Sequence, residues 1–443
     1  MQTVSDSKVG SLDPYGEAGA VNPHYLEHLI AASAKYDVRA SADITTEYGV
    51  KLLVAGTKFD ESVRETLLEN KPGRPLEGLV SIADGVNAAQ LQGTAMALLD
   101  EHPLMLALDA SDAEESMLDV IGKLRLTPPL QALLTVYALQ KEDRLRHAVG
   151  VSLLTLAMAR KLLPGKAMLH RQLALAGLMH DVGELYIEPI FQDRERELEA
   201  MIFRQIASHP VIGYRVLAAM EGAGPVVAEA VMSHHERMDG FGYPRGLADA
   251  QFAMPLQILA KAEWLMGLIE AGTGPLMRAS ISAKLMPGEF SQPVSLLVYM
   301  ATRSSKEMAE FLEAQTVTEK VSRRAGEIVT LLQRFRGLQA LVDGVMAKGT
   351  PELRAVLDRG VKRINRVQAA LTSAGLDSPD PETLIKNIAD KTDAGERQEV
   401  LSMIGEFSWR MREIERTFLL RGSLMSSGES ALMRTFVNQL KGE

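Results

Sequence analysis

The stretch from His234 to Leu247 reads HHERMDGFGYPRGL, and the rest of the chain is interpreted outward from it. Two adjacent histidines and a glutamate follow an apolar run, residues 226–232, and lead into a turn that contains two glycines and a proline. Because consecutive residues of a helix point about 100° apart, His234 and His235 are expected to serve two neighbouring metal ions, one each. The glycines allow the backbone to approach a ligand closely, and Pro244 stiffens the exit of the turn.

Further histidine motifs precede this stretch on segments with a helical pattern. They are, in chain order, His147, the tetrapeptide His180-Asp181-Val182-Gly183, and His209-Pro210 followed by Gly213. In order and spacing, these motifs and the loop together resemble the signature of the HD-GYP phosphodiesterases, which are metal-dependent hydrolases of cyclic di-GMP within the HD superfamily. The resemblance is strong over residues 135–275, weaker to about residue 305 and absent elsewhere.

The resemblance implies an all-α helical core of the HD superfamily, so the fold class is predicted to be mainly α. We expect the metal domain to span residues 126–305, where prolines and glycines interrupt an almost wholly helical pattern. Residues 1–125 are predicted to form a small α+β module with a regulatory or docking role, a purely structural role being the alternative. Residues 306–443 are predicted to form a C-terminal helical region.

The α+β prediction depends on the segment 43–82. Residues 43–46 and 50–54 flank Glu47-Tyr48-Gly49, a pattern typical of a hairpin with glycine at its turn. Asp60 is expected to cap a helix over residues 61–70, and residues 76–82 are predicted to form a third strand.

Composition limits the classes of function. With 46% hydrophobic and 24% charged residues, the 443-residue chain is typical of a globular protein with two or three domains. A net charge of −9 argues against a nucleic-acid duplex as the main partner. No apolar run approaches the ~20 residues of a membrane span, and no secretory signal opens the chain, so we expect a cytoplasmic protein without a membrane span.

The resemblance implies two divalent metal ions, and the absence of cysteine restricts their ligands to nitrogen and oxygen, which favours iron or manganese. Asp181 is expected to be catalytic as a carboxylate that bridges the two ions. Glu263 and Met266 stand where the family has the two aspartates of a segment similar to ADxxD, so this helix departs from the family. The implied ligands are His147, His180, Asp181, His209, His234, His235 and Glu263.

A second departure is Glu184, which stands where the family's HDxGK has a lysine beside the scissile phosphate, a catalytic position. Its spacing from His180 and Asp181 predicts that Glu184 faces the site, where a carboxylate would repel a phosphodiester. One alternative is that Glu184 turns to solvent. Another is that Asp143, four residues before His147, joins Glu184 in holding a third cation, although an aspartate at a helix start is also common as a solvated charge.

The loop also supplies the expected substrate contacts. Arg237, Gly242 and Tyr243 match positions that lie beside the cyclic dinucleotide in the family. The structural alternative is that Arg237 pairs with Glu236 or Asp239 while Tyr243 packs the loop. The family's later RPY segment is not reproduced, because residues 274–276 read Gly-Pro-Leu.

The resemblance therefore implies an HD-GYP-like phosphohydrolase that cleaves cyclic di-GMP to pGpG or GMP with a metal-activated hydroxide. The alternatives are a catalytically degenerate relative that acts as a receptor for a cyclic dinucleotide or as a signalling scaffold, and an HD hydrolase with another phosphate substrate.

The C-terminal region carries an apolar stripe with helical spacing. Such a stripe is usually packed against a neighbouring helix of the same chain, and the alternative is a homodimer or another protein partner bound through these helices. Its residues are Leu401, Ile404, Phe407, Met411, Ile414 and Phe418.

Overall fold

The computed structural model of the protein describes residues 21–109, 114–189, 200–271, 278–282, 288–303, 337–373 and 394–441, with 330, 333 and 383 as single positions. Helices dominate these ranges, which confirms the mainly α fold class. The Gly-Pro-Leu segment at 274–276 lies outside the described residues. Across the described part of the chain, no helix combines the length and the apolar character that a membrane crossing requires.

Within the predicted N-terminal module, residues 21–82 combine two helices with four short strands, and the later part of the module forms helices that continue into the central part of the chain. The elements of residues 21–82 are α1 (Pro23–Ala32), β1 (Val38–Ala40), β2 (Ile44–Thr45), β3 (Lys51–Leu53), α2 (Glu61–Glu69), a 3-10 helix (Leu76–Leu79) and β4 (Val80–Ile82). The predicted hairpin is the antiparallel pair β2–β3, and Gly49 in its turn has a φ of 81° that favours glycine. As predicted, Asp60 caps α2, because its carboxylate accepts a hydrogen bond of 2.9 Å from the backbone N–H of Ser62.

The third predicted strand is only partly correct. Its first four residues form the 3-10 helix, and only β4 is extended. The partner of β4 is the antiparallel strand β1, which the sequence pattern did not indicate. The two short sheets are therefore β1–β4 and β2–β3.

The central part of the chain is helical throughout its described ranges. Because α7 is buried on all sides along most of its length, its sequence is apolar all round instead of amphipathic. The elements are α3 (Ala88–Glu101), α4 (Pro103–Leu108), α5 (Met117–Gly122), α6 (Pro128–Ala138), α7 (Arg144–Leu162), α8 (Ala167–Met179), a 3-10 helix (Val182–Tyr186), α9 (Ala200–Ile206), α10 (His209–Ala218), α11 (Gly224–Ser233), a 3-10 turn (Asp249–Gln251), α12 (Met254–Glu270) and α13 (Gln292–Arg303).

The C-terminal region contributes four described helices: α14 (Gln339–Lys348), α15 (Pro351–Ser373), α16 (Ala394–Ser423) and α17 (Ser427–Lys441). The apolar stripe lies on α16, and its members from Ile404 to Phe418 are buried against α15 and α17 within the same chain. The side chain of Leu401 lies outside the described residues. The stripe thus follows the intramolecular interpretation, and a homodimer through these helices stays a prediction.

The hydrophobic core does not break at the predicted boundary of the N-terminal module. One continuous cluster of buried side chains extends from Val21 to Ala301 and joins the module to the central helices. A second cluster holds the C-terminal helices together and includes Phe241 of the quoted loop and Ile281. The C-terminal helices therefore pack directly on the loop that carries the histidines.

Candidate metal centre

The centre is built where α8 ends. His180 is the C-terminal capping residue of α8, and Asp181 begins the tight turn into the 3-10 helix Val182–Tyr186. This turn packs so closely against α10 that a Cβ on Gly183 would lie 2.1 Å from the carbonyl oxygen of His209. A residue without a side chain is therefore required at 183 for Asp181 and His209 to approach each other.

One group of ligand atoms, the first metal group, consists of Asp181, His209, His234 and His235. Asp181 Oδ1 lies 3.3 Å from His209 Nε2 and 3.5 Å from His234 Nε2. The two imidazole nitrogens of His209 and His234 are themselves 3.0 Å apart.

The second metal group consists of His147, His180 and Glu263. Glu263 Oε2 lies 3.1 Å from His147 Nε2 and 3.2 Å from His180 Nε2. The other oxygen of Asp181, Oδ2, lies 3.3 Å from His180 Nε2. Asp181 thus stands between the two groups, and each of its carboxylate oxygens faces one of them.

The hydrogen bonds of the histidine rings show which ring nitrogen carries the proton and whether the other nitrogen can bind a metal ion. The Nδ1–H groups of His180, His209 and His234 each donate a hydrogen bond of 2.6–2.7 Å to a backbone carbonyl three residues earlier. The Nδ1 atom of His147 lies 2.8 Å from Glu270 Oε1. A neutral ring that carries its proton on Nδ1 presents a lone pair at Nε2, and lone pairs about 3 Å apart repel unless a cation or proton lies between them. The donor set therefore fits divalent metal binding.

The electrostatics of the second metal group agree with this arrangement. Burial opposes the charged form of both partners, but the carboxylate of Glu263 raises the pKa of His147 to about 10, and His147 and His180 hold the pKa of Glu263 well below its usual range. Without a metal, protons on the imidazoles supply the positive charge that the carboxylate requires. In the first group, burial instead lowers the pKa of His234 to about 4, so this ring is a neutral ligand at pH 7.

The positions of His234 and His235 differ from the sequence expectation. The expectation assigned them to separate ions on the geometry of a continuous helix, but α11 ends at Ser233. His235 therefore lies beyond the helix, with its ring centroid 4.2 Å from that of His234, and both belong to the first metal group.

Glu184 faces inward, as its spacing from His180 and Asp181 predicted, and it does not turn to solvent. Its carboxylate forms a salt bridge with the guanidinium of Arg144, the first residue of α7. Arg144 Nη1 also lies 3.7 Å from Asp181 Oδ2 and donates a hydrogen bond of 3.1 Å to the hydroxyl of Tyr137. Sequence reasoning missed Arg144 and Tyr137. Arg144 lies three residues before His147, a spacing that places both on one helix face and could have signalled the contact.

The carboxylate of Asp143 does not lie with the candidate metal ligands. It is exposed at the N-terminus of α7, and it belongs to neither group of ligand atoms that the described residues form. Glu184 is engaged by Arg144, so the structure does not place these two carboxylates around one cation. A third ion held by Asp143 stays a prediction.

Glu236 stabilises the loop at residues 234–247, which we call the signature loop. Its buried carboxylate accepts hydrogen bonds from the backbone N–H groups of residues 245, 246 and 247, at 2.6, 3.1 and 3.0 Å. Arg237 does not pair with the carboxylates of Glu236 or Asp239. Its Nε lies 3.3 Å from Glu289, and its Nη1 donates to the backbone carbonyl of Glu236.

Tyr243 does pack the loop, as the structural alternative held. Its ring stacks on His235 with the centroids 4.7 Å apart, and it meets Phe203 of α9 edge-on at 5.9 Å. A ligand histidine is thereby fixed in orientation. Gly242 passes so close to the backbone of Glu236 that a Cβ there would lie 2.4 Å from the Glu236 Cα.

A cavity of about 250 Å3 opens beside the metal groups. It borders His235 of the first group and Glu263 of the second, and all three predicted substrate residues, Arg237, Gly242 and Tyr243, line it. Its opposite wall comes from α16 of the C-terminal region. No motif in the sequence indicates that this helix reaches the site.

Comparison with known proteins agrees with this geometry. Residues 131–286 match the HD domain family. The chain is 30% identical over 191 residues to a cyclic di-GMP phosphodiesterase of Pseudomonas aeruginosa, a match that covers 41% of this chain and 45% of that protein. It is 34% identical over 103 residues to 3'3'-cGAMP-specific phosphodiesterase 1 of Vibrio cholerae, covering 23% and 24% of the two chains, and 32% identical over 95 residues to a cyclic di-GMP phosphodiesterase of Thermotoga maritima, covering 21% and 25%.

The matched region and the metal groups together define a protein with an HD domain, a class whose histidines and aspartate bind divalent metal ions. The matched residues include the HD doublet at 180–181 and the loop at 234–247, the motifs on which the resemblance to the HD-GYP family rests. The matches span less than half the length of these relatives.

Proposed function

We propose that this protein is a metal-dependent phosphohydrolase that cleaves cyclic di-GMP to pGpG or GMP. The observation that carries the proposal is the position of Asp181, whose two carboxylate oxygens face two separate groups of imidazoles. A carboxylate between two ligand groups is the arrangement that two-metal phosphoesterases require.

The proposed cofactors are two divalent ions, iron or manganese, one in each metal group. Ligands that are only nitrogen and oxygen suit these ions, and the chain has no cysteine to favour a thiolate site. When bound, such ions supply Lewis-acid chemistry: they neutralise phosphate oxygens and make a water molecule more acidic. The chain's own residues set this chemistry up, because the carbonyl partners of His180, His209 and His234 fix the inward direction of each Nε2.

The Arg144–Glu184 salt bridge determines how strongly the site repels the negative charge of a phosphodiester substrate. Sequence alone predicts that Glu184 repels the substrate, but the guanidinium of Arg144 neutralises that carboxylate at contact distance. We infer that the pair is close to electrically neutral toward the substrate. It removes the repulsion without restoring the full positive charge of the family's lysine, which is worth roughly 10²–10³ in rate where a comparable group is lost.

A receptor for a cyclic dinucleotide is the second candidate, and the neutral Arg144–Glu184 pair favours it. A receptor would retain the cavity and the metal groups but would lack the group that acts on the leaving oxygen. The relatives are named as phosphodiesterases of cyclic di-GMP or of 3'3'-cGAMP, so both compounds are candidate ligands.

One experiment separates these functions. The full chain is purified anaerobically, its metal content is measured by elemental analysis, and the same sample is assayed for hydrolysis and for binding of cyclic di-GMP and 3'3'-cGAMP. We expect about two metal ions per chain and turnover of cyclic di-GMP. Metal and binding without turnover of either compound would establish the receptor, and a protein that binds neither compound would overturn both candidates.

A further inference from the structure

The wall of the cavity opposite the metal groups belongs to α16, which lies outside the region matched by the HD domain family. Trp409, Glu413, Arg416 and Thr417 of this helix line the cavity. Their spacing of three and four residues places them along one face of α16. The HD domain alone therefore leaves the cavity incomplete, and the C-terminal region closes it.

Two of the three arginines around the cavity already have carboxylate partners. Arg237 lies 3.3 Å from Glu289, and Arg278 lies 3.2 Å from Glu406. Arg416 forms no salt bridge with any carboxylate in the part of the chain that the structure describes. Glu413 one turn earlier on α16 is engaged by Arg363 and Arg410 instead.

Glu413 and Glu415 attract Arg416 without a salt bridge to it among the described residues, so its guanidinium can still bind an anion in the cavity that borders both metal groups. Burial, with repulsion from Arg412, lowers the pKa of the Arg416 guanidinium, although arginine stays protonated at pH 7. A guanidinium in this position gains most from an anion with several oxygens, which it can bind in a bidentate manner.

Trp409 offers the flat surface that a nucleobase requires. Its side chain is half-buried, lines the cavity and packs against the hydrophobic cluster that extends from Val21 to Ala301. The other tryptophan of the cavity, Trp264, has the ammonium of Lys261 3.6 Å above its ring and is 5% exposed. Trp409 has the guanidinium of Arg410 over one face, 4.8 Å from its ring centroid, so only its other face is available for a base to stack on.

The position of α16 is fixed on both sides of these residues. Arg410 is fully buried and paired with Glu289 of the central domain, and Arg421 donates a hydrogen bond of 2.6 Å to the carbonyl oxygen of Gly242 in the signature loop. The stretch of helix that carries Trp409 and Arg416 is thereby positioned relative to the metal groups before any ligand arrives, which lowers the entropic cost of binding.

We propose that Trp409 and Arg416 are substrate-binding residues that the C-terminal helix adds to the HD-GYP site. Trp409 stacks on a purine base, and Arg416 binds a phosphate of the cyclic dinucleotide. This inference rests on the proposed function and assigns α16 a part in substrate specificity. The cavity is slightly below the roughly 300–1,000 Å3 of pockets that enclose a whole drug-sized ligand, so it takes one nucleotide unit, and the second extends to the opening.

The test measures binding, so that activity is not the only readout. Metal-loaded full-length protein is titrated with a phosphorothioate analogue of cyclic di-GMP that resists hydrolysis, and Kd is obtained by calorimetry. We expect Arg416→Ala to raise Kd at least about tenfold, as loss of a charge-assisted contact does. Trp409→Ala is expected to raise it about fivefold to a hundredfold, and Trp409→Phe, which retains an aromatic face, only severalfold.

Arg412→Ala is the matched control, since it removes an exposed arginine from the same helix that does not line the cavity. Its Kd and thermal midpoint should equal those of the unmodified protein. If the unmodified protein binds the analogue and Arg416→Ala and Trp409→Ala bind it equally well while remaining folded, the inference is wrong and the proposed function stands. If the unmodified protein binds no cyclic dinucleotide, both the proposed function and the inference that rests on it are wrong.

Discussion

Two buried clusters of charged and ionisable groups lie beside the signature loop, and their charges are balanced in different ways. The metal groups combine the carboxylates of Asp181 and Glu263 with five imidazoles whose nitrogens converge. The second cluster, which we call the arginine–carboxylate network, joins the loop to the C-terminal helices. Its members are Arg237, Arg278, Arg363, Arg410, Asp239, Glu289, Glu406 and Glu413.

The members of the arginine–carboxylate network are four arginines and four carboxylates, whose charges cancel, and the exposed Arg366 adds a longer contact of 3.9 Å to Asp239. Although burial opposes the charge of Glu289, Arg410 and Arg363 lower its pKa far below the usual range.

The metal groups have two carboxylates, and the nearby Arg144, 3.7 Å from Asp181, is already paired with Glu184, so most of the balancing charge must come from protons or from cations. We therefore infer that the arginine–carboxylate network is structural and that the metal groups bind cations.

The largest expected effect is on the metal content of the metal groups. Asp181→Asn removes the carboxylate that faces both groups, and we expect metal content to fall from about two ions per chain to none, a larger loss than the 10–100-fold that follows removal of an outer-shell partner. Elemental analysis after dialysis measures it. Asp358→Asn, on the exposed face of α15, is the control and should keep its metal.

Breaking the arginine–carboxylate network should affect stability and leave metal content intact. Arg410→Met leaves Glu289 and Glu406 buried with less compensation, and we expect a loss of about 3–5 kcal/mol in the free energy of unfolding. Denaturant titration of the metal-loaded protein measures this loss. Arg434→Met, at an exposed position of α17, should change stability by less than about 0.5 kcal/mol. Equal stability of the Arg410 and Arg434 variants would show that the network is not structural.

The Arg144–Glu184 salt bridge shares a feature with each cluster, because it is an arginine–carboxylate pair that lies beside the metal groups. Glu184→Lys restores the family's residue but places it against Arg144, so we expect a loss of about 1–3 kcal/mol in stability. The exchange Arg144→Glu with Glu184→Lys should recover most of that loss. A double-mutant cycle measures the coupling, and a coupling of zero would mean that the salt bridge contributes nothing.

The smallest effect concerns Glu77, a buried carboxylate that has neither an arginine nor a metal group beside it among the described residues. Burial raises its pKa, and its described partner is the hydroxyl of Tyr186, which donates at 2.7 Å. The folded state therefore holds a proton that the unfolded state releases near pH 4.3, so stability falls as pH rises from there through the raised pKa.

Glu77→Gln should remove that pH dependence and stabilise the protein by about 1.4 kcal/mol for each pH unit by which the pKa was raised. Thermal midpoints of both proteins between pH 4 and 8 measure the difference. Curves that stay parallel over that range would show that Glu77 is charged in the folded protein.

The order and spacing of the histidines, read from the sequence, predicted an HD-GYP domain, and the structure brings all seven candidate ligands, five histidines with Asp181 and Glu263, into two neighbouring groups. Such a prediction is feasible because each motif lies at the end of a buried helix, and a short segment fixes both the helix and its terminal ligand. The sequence could not predict that His234 and His235 belong to one group, since this depends on where α11 ends. The strand β1 was missed because three residues carry too little pattern.

The sequence motifs predicted the class of site, its candidate ligands and the departures at Glu184 and Glu263. The neutralisation of Glu184 by Arg144 and the contribution of α16 to the cavity wall became visible only in the three-dimensional packing. The reason is physical. Ligand motifs are local and follow from helix geometry, whereas the position of a helix more than 130 residues beyond the site follows from packing and buried charge that no short segment encodes.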